Sequence, residues 1–304
     1  MARGQQPALP VVGILASVSA APYAPFLAEI KEGLRDQGYV EGKNVAFEYR
    51  WAEGRYDELP GHAADLVQLG VAAIILMGGR PALAAAKAAT TTIPIVVTIG
   101  EDPVKSGAVA ALNHPGGGGN VTGVSLLTVL TEAKRLELLH ELLPRAADVA
   151  VIVNPNNSQA SEQTANLQSA AQSLGLRLRC FKAGSAGEID QAFSALAQDR
   201  PAALIVAADA FFNTRAEQLV MLAGRNGIPT MYTFRHFAAL GGLTSYGPSI
   251  ASAYRLAGNY AGRILHGGKP ADLPVQQVEK FDFVVNLKTA RALGLTVPPN
   301  LIAR

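Results

Sequence analysis

The residues of this sequence that could do chemistry are scattered, and few have the spacing that catalysis requires. The five histidines lie far apart, and His140-Glu141 lacks the second histidine of a zinc-binding helix. No GxGxxG, P-loop or GxSxG pattern fits anywhere. The single cysteine, Cys180, excludes an intramolecular disulfide, and its place in a strand pattern predicts a buried structural thiol. We therefore predict no enzyme activity, no metal and no cofactor.

Small, polar and aromatic residues gather instead where predicted strands end. In parallel α/β sheets, ligands bind beyond the carboxyl ends of the strands, beside helix N-termini. In the first half, the candidate ligand-binding residues are Ser17, Ser19, Tyr23, Gly78, Gly79, Arg80, Thr98 and Asp102. In the second half they are Asn154, Asn156, Asp209, Phe212, Phe234, Arg235 and Tyr246. Because this set contains no obvious acid–base pair, it favours binding over catalysis.

Three features of these strand ends suggest how a ligand is held. The helices that follow Gly78-Gly79 and Asn156-Asn157 should direct free N–H groups at a carboxylate. Asp209 is the only strand-end acid of the second half, which makes it the expected partner of an ammonium or hydroxyl group. An apolar slot for a ring or branched chain is expected from three aromatic residues, namely Phe212, Phe234 and Tyr246.

Each candidate also has a purely structural interpretation. Tyr23 and its neighbour Phe26 fit a helix face turned to the core, and Arg80 and Arg235 fit solvated surface charges. Glu101-Asp102 could close a turn before Pro103. The residues that could simply cap helices or form turns are Asn157, Ser158, Asp209 and Asn213.

The elements that must position these residues alternate almost without interruption between strand and helix. Strand-like runs begin with Val11–Ala16, and the helix after it places Tyr23, Phe26, Leu27, Ile30 and Leu34 on one face before Gly38. Further strands are predicted at 45–51, 71–77, 93–99, 149–153, 176–181, 203–207, 230–233, 243–246 and 280–285. This alternation is typical of βαβ units and parallel sheets.

The second half of the chain repeats the plan of the first. Ile93-Pro94 and Ile228-Pro229 open similar strands, and the first strands of the halves begin at Val11 and Asp148. We predict two Rossmann-like α/β lobes with parallel sheets and a ligand cleft between them. Lobe one comprises 8–125 plus 243–272, and lobe two comprises 126–242 plus 273–304, so the chain crosses between lobes several times.

Composition narrows the function classes further. Of 304 residues, 49% are hydrophobic and 16% charged, which excludes a disordered chain. A net charge of +2 without a basic run predicts no nucleic-acid partner. The longest apolar runs are too short to cross a membrane, and residues 1–10 show no signal-peptide core. These observations fit both a cytosolic protein and a mature exported one.

One stretch resembles a known family. It runs from Asp102-Pro103-Val104 through Gly107, Leu112 and Pro115-Gly116 to Asn120-Val121-Thr122-Gly123-Val124-Ser125, and it is similar to ABC-transporter substrate-binding proteins, which include the tryptophan-binding lipoproteins. Gly38-Tyr39, Asn154-Pro155, Asp209 and Tyr246-Gly247 agree in order, so the resemblance covers about Val11 to Leu295. There are three departures. Relatives often carry acids where this chain has Thr233-Phe234-Arg235, Gly79-Arg80-Pro81 replaces a more hydroxyl-rich turn, and Gly118-Gly119 is an apparent insertion.

The resemblance implies a type I periplasmic-binding-protein fold with a hinge of crossing strands. It also implies an exported, periplasmic protein that closes like a clamshell on a small ligand, an amino acid or an aromatic or aliphatic carboxylate, and delivers it to an ABC permease. A ligand-sensing periplasmic domain that signals rather than transports is the alternative. A repressor core would need a helix-turn-helix, for which the ten residues before Val11 leave no room.

Overall fold

The computed structural model describes residues 9–113 and 119–302. His114, Pro115-Gly116 and Gly118, which entered the sequence analysis, lie outside these ranges. The strands are β1 Val11–Ala16, β2 Ala46–Trp51, β3 Ala73–Met77, β4 Ile95–Ile99, β5 Val121–Ser125, β6 Asp148–Val153, β7 Arg177–Lys182, β8 Ala203–Val206, β9 Thr230–Tyr232, β10 Thr244–Pro248, β11 Gln276–Gln277 and β12 Phe281–Val285. The helices are α1 Ala20–Asp36, α2 Leu59–Gln68, α3 Arg80–Ala89, α4 Glu132–Leu142, α5 Ala160–Ser173, α6 Ala186–Asp199, α7 Ala210–Thr214, α8 Ala216–Arg225, α9 Arg235–Ala239, α10 Ile250–Leu265, α11 Leu287–Ala292 and α12 Pro299–Ile302.

These elements form two compact units. Unit 1 contains the described residues up to Leu126 together with Ile250–Gln277, and unit 2 contains Leu127–Ser249 and the described residues from Val278 onward. Each unit is built on one six-stranded sheet. The chain therefore passes from one unit to the other at three places, after Leu126, Ser249 and Gln277.

In unit 1 the sheet order is β11-β5-β4-β3-β1-β2, and every pairing is parallel. Strands β1, β3 and β4 are almost wholly buried because helices cover both faces of a parallel sheet. On one face, α1 and α10 approach closely through glycines. A Cβ at Gly33 would lie 1.8 Å from the Arg255 carbonyl oxygen, and a Cβ at Gly258 would lie 2.0 Å from that of Ile30.

In unit 2 the order is β12-β10-β9-β8-β6-β7, and only the β10–β12 pairing is antiparallel. Its core includes leucines of α4, valines of β6 and Ile205 of β8. Without β11 and β12, the two sheets have the same strand order, β1 corresponding to β6 and β5 to β10. The tandem pair of similar α/β lobes predicted from the sequence is thus present.

The boundaries of the two units differ from the predicted ones at the crossing segments. Strand β10 was assigned to lobe one, but it pairs with β9 and β12 and belongs to unit 2. Residues 273–277 were assigned to lobe two, but β11 pairs with β5 and belongs to unit 1. Hydrogen bonding across a sheet decides where these short segments belong, and their own sequences do not report it.

Four local points of the sequence analysis also need correction. Strand β5 was not predicted, although Val121–Ser125 is fully buried beside β4. Cys180 is exposed rather than buried, because it lies on β7, one of the two edge strands of the sheet in unit 2. Helix α5 begins at Ala160 with Gln159 at its N-cap, so Ser158 is not its cap, and Asn213 is a residue of α7 rather than a cap.

Candidate functional site

The carboxyl ends of β1 and β3 are joined in unit 1 at a turn through Gly78. The Ser17 hydroxyl donates to the Gly78 carbonyl at 2.9 Å, and the Gly78 backbone also interacts with the buried Tyr254 hydroxyl. A Cβ at Gly78 would lie 2.0 Å from Ser17 Oγ, and its φ of 93° also favours glycine. Ser17 and Gly78 therefore hold the turn in place, and Tyr254 of α10 is a contributor that the sequence analysis missed.

Gly79 and Arg80 begin α3 directly after this turn. Gly79 occupies the N-cap with φ 81°, and no side chain caps the helix. The Arg80 guanidinium lies 3.5 Å from Glu101 Oε2 and 3.4 Å from the Ser106 carbonyl oxygen, so the loop after β4 partly neutralises its charge. Asp102 accepts from the backbone N–H groups of Val104 and Lys105 at 2.9 and 3.2 Å. Asp102 thus closes a turn, as its structural interpretation predicted.

The other candidates of unit 1 differ in their surroundings. Tyr23 is 1% exposed, and its ring packs edge-on against Phe26 and Tyr254 at centroid distances of 5.3 and 6.3 Å. Its place is thus in the α1–α10 packing. Ser19 sits at the N-cap of α1 without a side-chain bond to the helix. Thr98, on β4, is 3% exposed, and its hydroxyl has no partner among the residues described.

In unit 2, Asp209 organises the loop that follows β6. Its Oδ1 accepts from Asn154 Nδ2 at 3.0 Å and from the N–H groups of Phe211 and Phe212 at 2.9 and 3.2 Å. Its Oδ2 accepts from Asn157 Nδ2 at 2.9 Å. Burial raises the pKa of the carboxyl group, whereas these bonds act to lower it.

This geometry changes the role expected for Asp209. A carboxylate offers about four acceptor positions, two on each oxygen; the protein's own N–H donors make three contacts to Oδ1 and one to Oδ2. Asp209 therefore caps α7 and fixes the adjacent loop, in agreement with its structural interpretation. Its contact with an ammonium group stays a prediction.

The amides of the β6–α5 loop are ordered in the same way. Asn154 is 2% exposed and its Oδ1 accepts from the Asn156 N–H at 3.0 Å, while Asn157 Oδ1 accepts from the Gln159 N–H at 2.9 Å. Asn156 is exposed and packs against Gly184, where a Cβ would lie 2.5 Å from Asn156 Nδ2. Sequence reasoning missed Gly184, because nothing local marks a glycine that a distant loop approaches.

The three aromatic residues predicted to form a slot differ in accessibility. Phe212 and Phe234 are 1% and 4% exposed, whereas Tyr246 is partly exposed and stacks on Phe281 with centroids 6.0 Å apart. Arg235 is largely exposed and lies 3.7 Å from Asp282. Two buried hydroxyls nearby in the sequence, those of Thr233 and Ser245, have no partner in the described part of the chain.

Within residues 9–113 and 119–302, no group of three or more His, Cys, Asp or Glu side chains could hold a metal ion. None of the helices described is long and apolar enough to cross a membrane. What each unit offers at its strand ends is a rigid framework of turns held by side-chain bonds, with buried hydroxyls that have no partner. Such an arrangement can bind a small polar molecule.

Comparison with known proteins gives this framework a context. The family model described as "ABC transporter substrate binding protein" matches residues 11–304. A curated relative, the tyrosine-binding protein of Clostridioides difficile (strain R20291), is 28% identical over 275 residues, covering 89% of this chain and 78% of the relative.

Solved structures match over nearly the full length. A conserved domain protein from Vibrio cholerae is 27% identical with a TM-score of 0.88, covering 98% of each chain. An ABC domain in complex with L-Trp from Streptococcus pneumonia is 24% identical with a TM-score of 0.86, covering 97% of this chain and 98% of that one. The ligand-free, open structure of a substrate-binding protein with adhesive properties from Clostridium difficile is 25% identical with a TM-score of 0.69, covering 96% and 97%. These matches confirm the predicted type I periplasmic-binding fold class.

Proposed function

Because the chain belongs to the family of ABC transporter substrate-binding proteins, we propose that it captures a small solute outside the cytoplasm and delivers it to a membrane permease. The family match over residues 11–304 carries this proposal, since it includes both units and all three crossing segments. The bonded turns at the strand ends support a binding role rather than catalysis. Fractionation of producing cells tests the location, and recovery only in the cytoplasm would contradict it.

The ligand is an amino acid or a related carboxylate with an aromatic or branched side chain. The tyrosine-binding relative supports this class. So do three aromatic residues, namely Phe212 of α7, Phe234 just past β9 and Tyr246 within β10. Aromatic side chains supply a large apolar contact area in specific geometry.

The ligand carboxylate is received by the N-terminus of α3. This helix has ten residues and no side-chain cap, and Arg80 stands at its first position. In the β6–α5 loop, by contrast, side chains already accept the N–H groups of Asn156 and Gln159. Of the two helices predicted from the sequence to take a carboxylate, α3 is therefore the better anion site.

Binding closes the two units on the ligand, and the permease recognises the closed form. A ligand can shift this equilibrium only as far as its affinities for the two states differ. The radius of gyration in X-ray scattering should therefore decrease on ligand addition. A saturating ligand that leaves the radius unchanged would refute closure.

A thermal-shift screen followed by calorimetry tests the ligand class. The panel contains L-Tyr, L-Trp, L-Phe, L-Leu and their deaminated carboxylates, with L-Lys and D-glucose as controls. A ligand at 100 times its dissociation constant adds about 2.7 kcal/mol to the stability of the folded protein. Shifts confined to the controls would refute the proposed class.

Transport is tested separately from binding. Uptake of the radiolabelled ligand by cells should fall when the gene is deleted and recover with the wild-type copy. Binding without an effect on uptake would favour the sensor alternative.

A further inference from the structure

A fully buried ion pair lies in unit 2 beside two of the places where the chain changes units. Glu132 and Arg135 of α4 are each 0% exposed, and Arg135 Nη2 lies 2.6 Å from Glu132 Oε1. Two isolated charges in a protein interior are costly, and their mutual attraction often does no more than offset that cost. The pair therefore calls for an explanation other than stability.

The guanidinium of Arg135 contacts backbone carbonyl groups near the first and the second crossing. Its Nη2 donates to the Thr128 carbonyl at 3.2 Å, two residues after the first crossing. Its Nη1 lies 3.4 Å from the carbonyl oxygen of Tyr246, three residues before the second crossing, and donates to Thr131 Oγ1 at 2.7 Å. One planar guanidinium with five donors can hold both segments at once.

The backbone at these crossings is irregular, and further bonds join it. Leu127, the first residue of unit 2, has a φ of 49°, a conformation that a leucine rarely adopts. The Thr131 hydroxyl donates to the Thr128 carbonyl at 2.7 Å. The Ser249 N–H donates to the Lys280 carbonyl at 3.1 Å, which joins the second crossing to the third. All three segments are thus linked on the side of unit 2.

We propose that Arg135, held in place by Glu132, is a positioning residue that stiffens the hinge by fixing the first two crossing segments to unit 2. This inference rests on the proposed function, because it is closure on a ligand that gives a hinge its use. If the crossing segments are firmly attached to unit 2, the units move relative to each other along one path. The ligand-free protein then samples few orientations from which the units cannot close on a ligand.

The test measures the distribution of distances between the units in ligand-free protein by double electron–electron resonance. One nitroxide is placed on the exposed Cys180 of unit 2, and the other on unit 1 at Ala64→Cys, an exposed position of α2. The main variant replaces both charges, Glu132→Leu with Arg135→Met, because apolar replacement of a buried pair usually preserves folding. The control, Lys134→Gln with Glu137→Gln, removes a partly exposed pair of the same spacing on the same helix.

In the main variant we expect a distance distribution about twice as broad as that of the wild type, because two hinge segments are released. Arg135→Lys, which keeps the charge but not the planar donor set, should lie between the two. The control should match the wild type. A folded main variant with a wild-type distribution would overturn the proposal. If that variant does not fold, a wild-type distribution in Arg135→Lys overturns it instead.

Ligand affinity gives a second readout. With a smaller closure-competent fraction, the main variant should bind about 3- to 10-fold more weakly. A failure to find any ligand would refute the proposed function but would leave the comparison of ligand-free distributions intact. The two proposals can therefore fail separately.

Discussion

Replacing Asp209 with alanine tests whether this carboxylate organises unit 2. In the wild type, it accepts two backbone N–H groups at the start of α7 and one side-chain amide from each of Asn154 and Asn157. Asp209→Ala removes all four bonds and leaves the buried Asn154 amide without its acceptor. The substitution also removes the desolvation penalty of the buried carboxylate. In the wild type, this desolvation raises the pKa of Asp209.

The expected loss of stability follows from these terms. An aspartate N-cap is worth about 1 kcal/mol. Hydrogen bonds to charged groups are worth about 1.5–3 kcal/mol each, and the variant loses two of them, from the amides of Asn154 and Asn157. Removing the buried carboxylate also removes its desolvation penalty, which offsets part of this loss. We expect a net loss of about 2–4 kcal/mol in the free energy of unfolding. For a protein of this size, the melting temperature should fall by about 3–6 °C.

Thermal and denaturant unfolding measure this loss, and two variants calibrate it. Asn286→Ala removes an N-cap, in which Asn286 accepts from the N–H groups of Lys288 and Thr289 at the start of α11, and one neutral hydrogen bond from its Nδ2 to the Ala238 carbonyl. Glu279→Ala alters an exposed carboxylate and should stay within about 0.5 kcal/mol of the wild type. If Asp209→Ala costs no more than Asn286→Ala, the loop-organising role is wrong.

The same variant distinguishes the scaffold role from direct contact with an ammonium group. Because four donors of its own unit already bond to this carboxylate, Asp209→Ala should weaken the binding of an amino acid and of its deaminated analogue to a similar extent. A loss of about 30-fold or more that is confined to the amino acid, the effect of truncating a buried charge partner, would show that Asp209 holds the ammonium after all.

Burial lowers the pKa of His236 to about 4 from an ordinary 6.5, so folding stability should fall by up to about 3 kcal/mol between pH 6.5 and pH 4. His236→Phe should flatten that pH dependence of the melting temperature, and an unchanged slope would contradict the assignment. Gly258→Ala should destabilise unit 1 by about 1–3 kcal/mol through its contact with Ile30. By contrast, Gly224→Ala, in α8 with open space around it, should stabilise by up to about 1 kcal/mol; equal effects in urea unfolding would refute the close-packing argument. Cys180 should react with one equivalent of maleimide in the native protein, and protection until denaturation would contradict its exposure.

The sequence by itself determined the alternation of strands and helices and the tandem repeat. Buried parallel strands need continuous apolar runs, and amphipathic helices need a period of 3.6 residues, so both leave local patterns. The predicted buried face of α1 agrees with the structure at Tyr23, Phe26, Ile30 and Leu34. Gly38, with a φ of 82°, follows the end of that helix, as expected for a C-terminal glycine.

The sequence indicated the candidate site only through the positions of strand ends. These can be located from the sequence, and Ser17, Gly78 and Asn154 directly follow β1, β3 and β6. What each side chain does there was not predictable. Ser17 and Asn154 turned out to hold turns, and Asp209 to satisfy N–H groups of its own unit. Hydrogen-bond partners 55 to 61 residues away leave no local signal.

Tertiary structure alone decided which sheet each crossing segment joins and where close packing requires glycine. Strand β5 escaped prediction because Gly123 interrupts its apolar pattern, yet a Cβ there would lie 2.0 Å from the Val97 carbonyl oxygen of β4. Nothing in the local sequence marks the charged pair Glu132–Arg135 as buried, yet it is fully buried beside two crossing segments. Local sequence encodes the conformation of a segment, whereas burial and partners depend on which distant segments pack against it.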